Sequence, residues 1–221
     1  METKIQFQKN AKVLTSTGQH IGSLERIVVN PKSKAMTDIV VRVGGLLDQE
    51  EKVVPIGLVT ETTENQVVLS EDAGDLGDFP AFEEEHLVEG DDNPEKPYIT
   101  MPATSQPVIF GYPGFGPPII STTPGEPLVT EVEQNIPEGT VAMKEGAKVI
   151  AADGDKIGRL ERVLAEPALE QITHLLISTG GLTHKLKLIP ARWVMTMGED
   201  EVRLRVNKKE VEELADASIV I

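Results

Sequence analysis

The sequence lacks cysteine and has few aromatic residues, one Trp, two Tyr and five Phe among 221 residues. The absence of cysteine excludes disulfide frameworks, thiolate zinc sites and cysteine nucleophiles. Positive charge is also scarce, with 21 Lys and Arg against 36 Asp and Glu and a net charge of −15. Because nucleic-acid binding needs a basic surface, this balance argues against a nucleic-acid partner for the chain as a whole.

Long hydrophobic runs are missing as well. Residues 1–8 carry charges and lack the apolar run of a secretory signal, which makes a cytoplasmic location the default. The longest uncharged stretch, Tyr98 to Gly125, contains six prolines, so it cannot form a continuous helix across a bilayer. We therefore expect a cytoplasmic protein without a transmembrane segment, and peripheral membrane association stays open.

An internal repeat divides the chain into two copies. Ala11 to Leu14 recurs as Ala147 to Ile150, an offset of 136 residues that falls to 135 after the loss of one residue in the second copy. The shared motif comprises Gly18, Ile21, Gly22, Leu24, Gly44, Gly45 and Pro55 in the first copy, and Gly154, Ile157, Gly158, Leu160, Gly180, Gly181 and Pro190 in the second. Two homologous units joined by a connector follow from this order of matches.

The pattern within each copy predicts β-structure. Its apolar stretches are short, β-branched and separated by turn signals. Gly18 and Gly154 occupy hairpin turns that require a positive φ. Five or six short strands in about 60 residues favour closure into a small barrel. We predict a mainly β chain with barrels at residues 1–89 and 139–221, an irregular connector at 90–138, and a short helix from Lys208 to Ala215.

The motif resembles that of the PRC-barrel family. That family includes the cytoplasmic part of the photosynthetic reaction-centre H subunit and the C-terminal domain of the bacterial ribosome maturation factor. The resemblance implies two PRC-type barrels in tandem, and its residues are turn and core positions that do not define a site. The two relatives imply a membrane helix and a different N-terminal domain respectively; this sequence shows neither, so neither specific function transfers.

The connector is the most unusual part of the sequence. Residues 71–138 hold one basic and fifteen acidic residues and six of the eight aromatics, without the ordered carboxylates of a calcium loop. Its proline and aromatic stretch suits a partner groove, packing on its own barrels or a plain linker. We predict irregular structure from about Asn93 to Asn135, with at least two of the rings of Phe110, Tyr112 and Phe115 buried. The candidate partner-binding residues are Phe110, Tyr112, Phe115 and Ile119.

Residues suited to catalysis are scattered. The four histidines lack ligand spacing, and no nucleophile elbow, zinc-protease motif or P-loop occurs. Glu25-Arg26 recurs in register as Glu161-Arg162, and adjacent strand residues point to opposite faces, so we predict a structural role across strands or between barrels. We predict no catalytic, cofactor-binding or metal-binding residue, no cofactor and no enzymatic activity.

The leading functional hypothesis is therefore a non-enzymatic adaptor or scaffold that binds a protein partner. The resemblance leaves an alternative open: a peripheral component of a membrane electron-transfer complex of the photosynthetic type, or of a stress-response complex. An RNA-associated or ribosome-associated factor is less favoured, because basic residues near the C-terminus lack aromatic stacking partners. Homo-oligomerisation is left open.

Overall fold

The structure is a computed structural model of the whole chain. It describes residues 5–45, 48–63, 65–74, 76–89, 128–166, 171–180 and 185–217, which are called the described residues below.

The described residues of the first half form eight strands. They are β1 (Ile5–Phe7), β2 (Lys12–Leu14), β3 (His20–Val29), β4 (Met36–Gly45), β5 (Asp48–Pro55), β6 (Val59–Thr62), β7 (Gln66–Leu69) and β8 (Glu83–Glu89). Short 3-10 turns lie at Ile56–Leu58, Glu71–Ala73 and Leu76–Asp78.

The described residues of the second half contain eight strands and one helix, and β10 to β16 repeat the series β1 to β7. Its elements are β9 (Leu128–Gln134), β10 (Val141–Lys144), β11 (Lys148–Ile150), β12 (Lys156–Glu166), β13 (Gln171–Thr179), β14 (Lys185–Pro190), β15 (Val194–Met197), β16 (Glu201–Leu204) and α1 (Lys208–Glu212). A 3-10 turn at Ala191–Trp193 matches the one at Ile56–Leu58.

Two sheets of the same strand order result. The N-terminal sheet runs β5-β4-β3-β2-β7-β6, and the C-terminal sheet runs β14-β13-β12-β11-β16-β15. In each sheet the two outermost strands are joined by a single 3-10 turn, so the sheet curls until its edges approach one another. The predictions of a mainly β chain with two β-rich halves and a short C-terminal helix are confirmed.

Equivalent residues of the two sheets occupy equivalent core positions. Leu24 pairs with Val41 across β3 and β4, and Leu160 pairs with Ile177 across β12 and β13. All four side chains are buried in one hydrophobic cluster that contains residues of both sheets. The two homologous units predicted from the repeat therefore share one register, because a slip of one residue would have turned each core side chain to the opposite face.

The first strand of each copy pairs with the sheet of the other copy. Strand β1 lies antiparallel to β12, with Phe7 opposite Val163, and β10 lies antiparallel to β3, with Met143 opposite Ile27. Phe7 corresponds to Met143 in the repeat, so the two exchanges have the same register. This reciprocal strand exchange was not predicted, and it places both sheets in one compact unit, residues 1–82 and 135–221.

Residues 83–134 form a second compact unit. Its described part is a hairpin in which β8 and β9 pair antiparallel from Glu83 opposite Gln134 to Glu89 opposite Leu128. The prediction of irregular structure from Asn93 to Asn135 is wrong at Leu128–Gln134, because backbone pairing with β8 stabilises a strand there despite the high charge of both segments. Residues 90–127 lie outside the described residues.

The turn glycines provide a first test. Gly18 and Gly154 have φ values of +84° and +86°, as predicted, and a Cβ at either position would meet open space. Valine at each position should therefore lower the free energy of unfolding by about 1 kcal/mol or more through backbone strain alone. Urea denaturation of Gly18→Val and Gly154→Val checks this, and midpoints equal to that of the parent would contradict it.

Candidate functional site: the seam between the two sheets

The exchanged strands leave their own copies through left-handed hinges. Asn10 follows β1 with a φ of +62°, and Gly146 follows β10 with a φ of +83°. The backbone N–H of Asn10 donates to the carbonyl of Leu24 at 2.8 Å, and that of Gly146 donates to Leu160 at 2.7 Å. Asparagine and glycine are the residues that best tolerate this conformation, so both copies are suited to the same sharp change of direction.

Two contacts join residues that are equivalent in the repeat. Ala35 forms an antiparallel bridge with Gln171, and the backbone N–H of Lys9 donates to Oε2 of Glu145 at 2.7 Å. Each pair is separated by the repeat offset of 136 residues. Such contacts lie on a pseudo-two-fold axis, as they do in an isologous dimer interface.

A β-bulge on each long strand aims a carboxylate at this axis. The pairing of β3 with β4 skips Glu25, and that of β12 with β13 skips Glu161. A bulge breaks the alternation of faces and redirects the side chain. Glu25 is consequently buried, with 6% of its surface exposed, next to the equally buried Leu24. Strict alternation along a strand does not predict two successive buried residues.

Two cations neutralise the buried Glu25. Its Oε2 lies 3.1 Å from Nζ of Lys9, and its Oε1 lies 2.5 Å from a guanidinium nitrogen of Arg42. A buried carboxylate requires such partners, because the loss of hydration is costly. Lys9 therefore contacts Glu25 through its side chain and Glu145 of the other copy through its backbone.

Arg26 connects the two sheets. Its guanidinium forms an ion pair with Glu51 on β5 and lies 3.7 Å from Oε1 of Glu199, which also pairs with Lys144. The same guanidinium stacks over the Phe82 ring, 4.5 Å from its centroid. This copy shows the contacts across strands and between the halves that were predicted for the Glu-Arg pair: Glu51 lies on the same sheet and Glu199 in the other half.

A small cavity lies at the seam, where β1 and β10 join the opposite sheets. It measures about 20 Å³, which suffices for one water molecule. Equivalent pairs from the two copies line it, among them Phe7 with Met143 and Leu24 with Leu160. Burial raises the pKa of the Glu145 carboxyl at its edge, and the hydrogen bond from Lys9 offsets part of that effect. The space is too small for an organic substrate.

A second open hollow lies on the C-terminal sheet and is lined by Lys156, Arg159 and Lys187 among others. Lys187 is buried, donates to the carbonyls of Glu212 and Leu214 at the end of α1, and lies 2.8 Å from Oδ1 of Asp216. Its charge therefore fixes the C-terminal segment to the sheet. Among the described residues, no group of three or more His, Asp or Glu side chains is arranged to hold a metal ion.

Asp38 gives a pH-dependent prediction. Its side chain is 8% exposed, and its Oδ2 has no hydrogen-bond partner among the described residues. Burial raises the pKa of this carboxyl, and a hydrogen bond from Thr37 opposes the shift only in part. A raised folded-state pKa favours the protonated native state, so this stabilisation is complete below the ordinary value of 3.8 and is lost as the pH rises through the folded-state pKa.

Asp38→Asn should consequently raise the thermal midpoint at pH 7, and its advantage should shrink below pH 3.8. Asp216→Asn is a control whose effect on stability should depend on pH in the opposite direction, because the hydrogen bond from Lys187 lowers the pKa of Asp216. That carboxylate stabilises the fold above its ordinary pKa and loses this effect as the pH falls. Melting curves of both variants from pH 7 downwards test the pair, and parallel curves for Asp38→Asn and the parent would show that Asp38 is not a titrating group.

Among the predicted motif residues, Gly18 and Gly154 lie in turns and Leu24 and Leu160 lie at the seam, whereas Gly181 and the predicted partner-binding residues lie outside the described residues. Leu24 and Leu160 line the cavity, and Gly22 and Gly158 precede them on β3 and β12. Phe110, Tyr112, Phe115 and Ile119 lie outside the described residues. Three seam residues were not predicted from the sequence: Lys9, Glu145 and Glu199. The opposite charges at the equivalent positions 9 and 145 were the available signal for the first two.

The fold and the seam define a class of mainly β protein with two curled sheets related by a pseudo-two-fold axis. Residues 9–76 match the family model of the PRC-barrel domain. This match covers β2 to β7 and the hinge, and it supports a small β-barrel module in the first half. A search of curated proteins found no match. Within the described residues, no helix is both long and apolar enough to cross a membrane.

Proposed function

We propose that this chain is a non-enzymatic adaptor or scaffold built from two PRC-barrel domains, of which residues 139–221 form the second. The identical strand order and register of the two sheets support the assignment of the second domain. The charged pair that recurs in both copies supports a structural rather than a catalytic use of the seam, because in the first copy both members neutralise neighbouring charges.

One observation carries the adaptor role. The backbone N–H of Asn135 donates to the carbonyl of Phe82 at 2.9 Å, so the segment from Glu83 to Gln134 leaves and re-enters the larger unit at adjacent points. A tight turn of about two residues spans such a gap. The two sheets therefore do not need this segment as a link, which supports a role in binding.

The composition of the segment indicates the chemistry of its partner. It contains the acidic strands β8 and β9 and the uncharged proline and aromatic stretch. Pre-extended proline-rich chain loses little entropy on docking, and aromatic rings supply contact area. A protein surface with a basic rim and an apolar groove is the complementary partner.

The test is capture of partners from lysate by the full chain and by the triple variant Phe110→Ser, Tyr112→Ser and Phe115→Ser. The matched control is Ser105→Ala, Ser121→Ala and Thr122→Ala, three small changes in the same stretch. The serine variant should lose captured proteins that the control retains, with both melting like the parent. Equal capture by all three chains would show that the rings do not bind a partner.

The alternative of a peripheral partner of a membrane complex predicts recovery with membranes on fractionation. The acidic connector disfavours direct attachment to anionic lipid, because like charges repel. Membrane recovery that high salt abolishes would therefore indicate attachment through a membrane protein. A cytoplasmic location stays a prediction, and recovery in the soluble fraction of a cell lysate would support it.

A further inference from the structure

We propose that the seam also joins two copies of this chain, so that the N-terminal sheet of each copy exchanges strands with the C-terminal sheet of the other. The product is a closed two-fold dimer with two seams, each identical to the one seen within a single chain. This inference is independent of the proposed adaptor role.

Each half contributes one donor strand to the sheet of the other half, and each half has a long strand that accepts such a donor strand. Strand β1 ends in Phe7, which is buried opposite Val163, and β10 carries Met143, which is buried opposite Ile27. Neither donor strand pairs with its own sheet in the described residues. Main-chain hydrogen bonds and alternate buried side chains hold such an added strand, and neither depends on whether donor and acceptor belong to one chain.

The left-handed hinges direct each donor away from its own sheet. Asn10 and Gly146 are held by equivalent hydrogen bonds to Leu24 and Leu160. Because these bonds lie within one copy, the outward direction of each donor strand is a property of that copy. A second chain therefore meets the donor already aimed outward.

Charge at the axis selects which halves pair. The backbone N–H of Lys9 in the N-terminal half donates to the carboxylate of Glu145 in the C-terminal half, and the Lys9 charge also attracts that carboxylate. These are equivalent positions in the repeat. Pairing of two N-terminal halves would bring two Lys9 residues together, and pairing of two C-terminal halves would bring two Glu145 residues together. Like charges at an interface disfavour such pairings. Because each N-terminal half pairs with a C-terminal half, two chains that exchange halves form a closed dimer.

The covalent connection has sufficient length for this dimer. Phe82 of one chain would adjoin Asn135 of the other, as they adjoin within one chain. Every strand pair, including β8 with β9, is then preserved between chains. The residues between Glu89 and Leu128 would connect the two seams, and an extended chain of this length reaches on the order of 100 Å.

The absence of cysteine allows a direct test. Val28 and Ala142 lie opposite each other across β3 and β10 and are both buried. The full chain carries Val28→Cys and Ala142→Cys. Oxidation forms a disulfide within one chain when β10 pairs with β3 of the same chain, and a disulfide between two chains when β10 pairs with β3 of another copy. The chain is unfolded in reductant, refolded over a hundredfold range of concentration, oxidised with glutathione disulfide and analysed on a non-reducing gel.

We expect a covalent dimer whose fraction rises about tenfold for each tenfold increase in concentration while it is the minor species. Covalent monomer alone at every concentration would overturn the proposal. Equal dimer formation by the single variant Val28→Cys would overturn it as well, because it would reveal random cross-linking.

A second variant separates exchange from side-by-side association. In this variant, two glycines replace residues 83–134 of the double-cysteine chain. They link Phe82 directly to Asn135, and a link this short cannot connect two separate seams. This chain should form only the intrachain disulfide. If it dimerises as the full-length chain does, strand exchange between copies is excluded. If it does not refold, light scattering of the refolded full-length chain decides, with the absence of a dimer mass counting against the proposal.

Discussion

Replacing Phe7 with alanine is expected to lower the free energy of unfolding by about 3–5 kcal/mol, the usual cost of deleting a buried phenylalanine ring. Phe7 is 1% exposed and belongs to the cluster that includes residues of both sheets. It also ends a strand of only three residues, so few other contacts hold that strand in place. Chemical denaturation followed by tryptophan fluorescence measures the effect.

The location of the probe makes this prediction specific. Trp193 lies in the C-terminal half, whereas Phe7 belongs by sequence to the first copy. Without strand exchange, Phe7→Ala would destabilise the N-terminal sheet and leave the Trp193 transition unchanged. Met195→Ala is the matched control, because Met195 is 50% exposed and its truncation should alter stability by less than about 0.5 kcal/mol.

Gly158→Ala is expected to destabilise the protein by about 3 kcal/mol, at the upper end of the range for overpacking. A Cβ built on Gly158 would lie 1.8 Å from the carbonyl oxygen of Ser178 on the neighbouring strand. That atom belongs to the backbone, so relief requires β12 and β13 to separate. The equivalent Gly22→Ala should show a smaller effect, since its Cβ would lie 2.5 Å from the carbonyl oxygen of Arg42.

Gly57→Ala is the control for both substitutions. Gly57 is exposed in the 3-10 turn before β6, and a Cβ there would meet nothing within 4 Å. Urea denaturation should place its midpoint at or slightly above that of the parent, because alanine restricts the unfolded chain. A midpoint for Gly158→Ala equal to that of Gly57→Ala would show that the two strands tolerate the added methyl group.

The two pairs of motif glycines differ in what sequence reasoning explains. Gly18 and Gly154 lie in turns, and the need for a positive φ follows from local turn chemistry. Gly22 and Gly158 recur in the motif just as regularly, yet their φ values are ordinary and their constraint is the carbonyl of another strand. Contact with a residue about twenty positions away leaves no signature in the local pattern.

The strands, their registers and the equivalence of the two halves were determined by the sequence itself, because turn residues and the spacing of apolar side chains act over short distances. Tertiary structure alone decided the exchange of β1 and β10. The backbone groups of both donor strands pair equally well with β3 or with β12. Hydrogen bonding between strands therefore does not specify which of the two long strands each donor joins. The hinges at Asn10 and Gly146 direct each donor strand away from its own copy. The bulges at Glu25 and Glu161 and the contact of Lys9 with Glu145 then select the other copy, and they become effective only when the two sheets pack together.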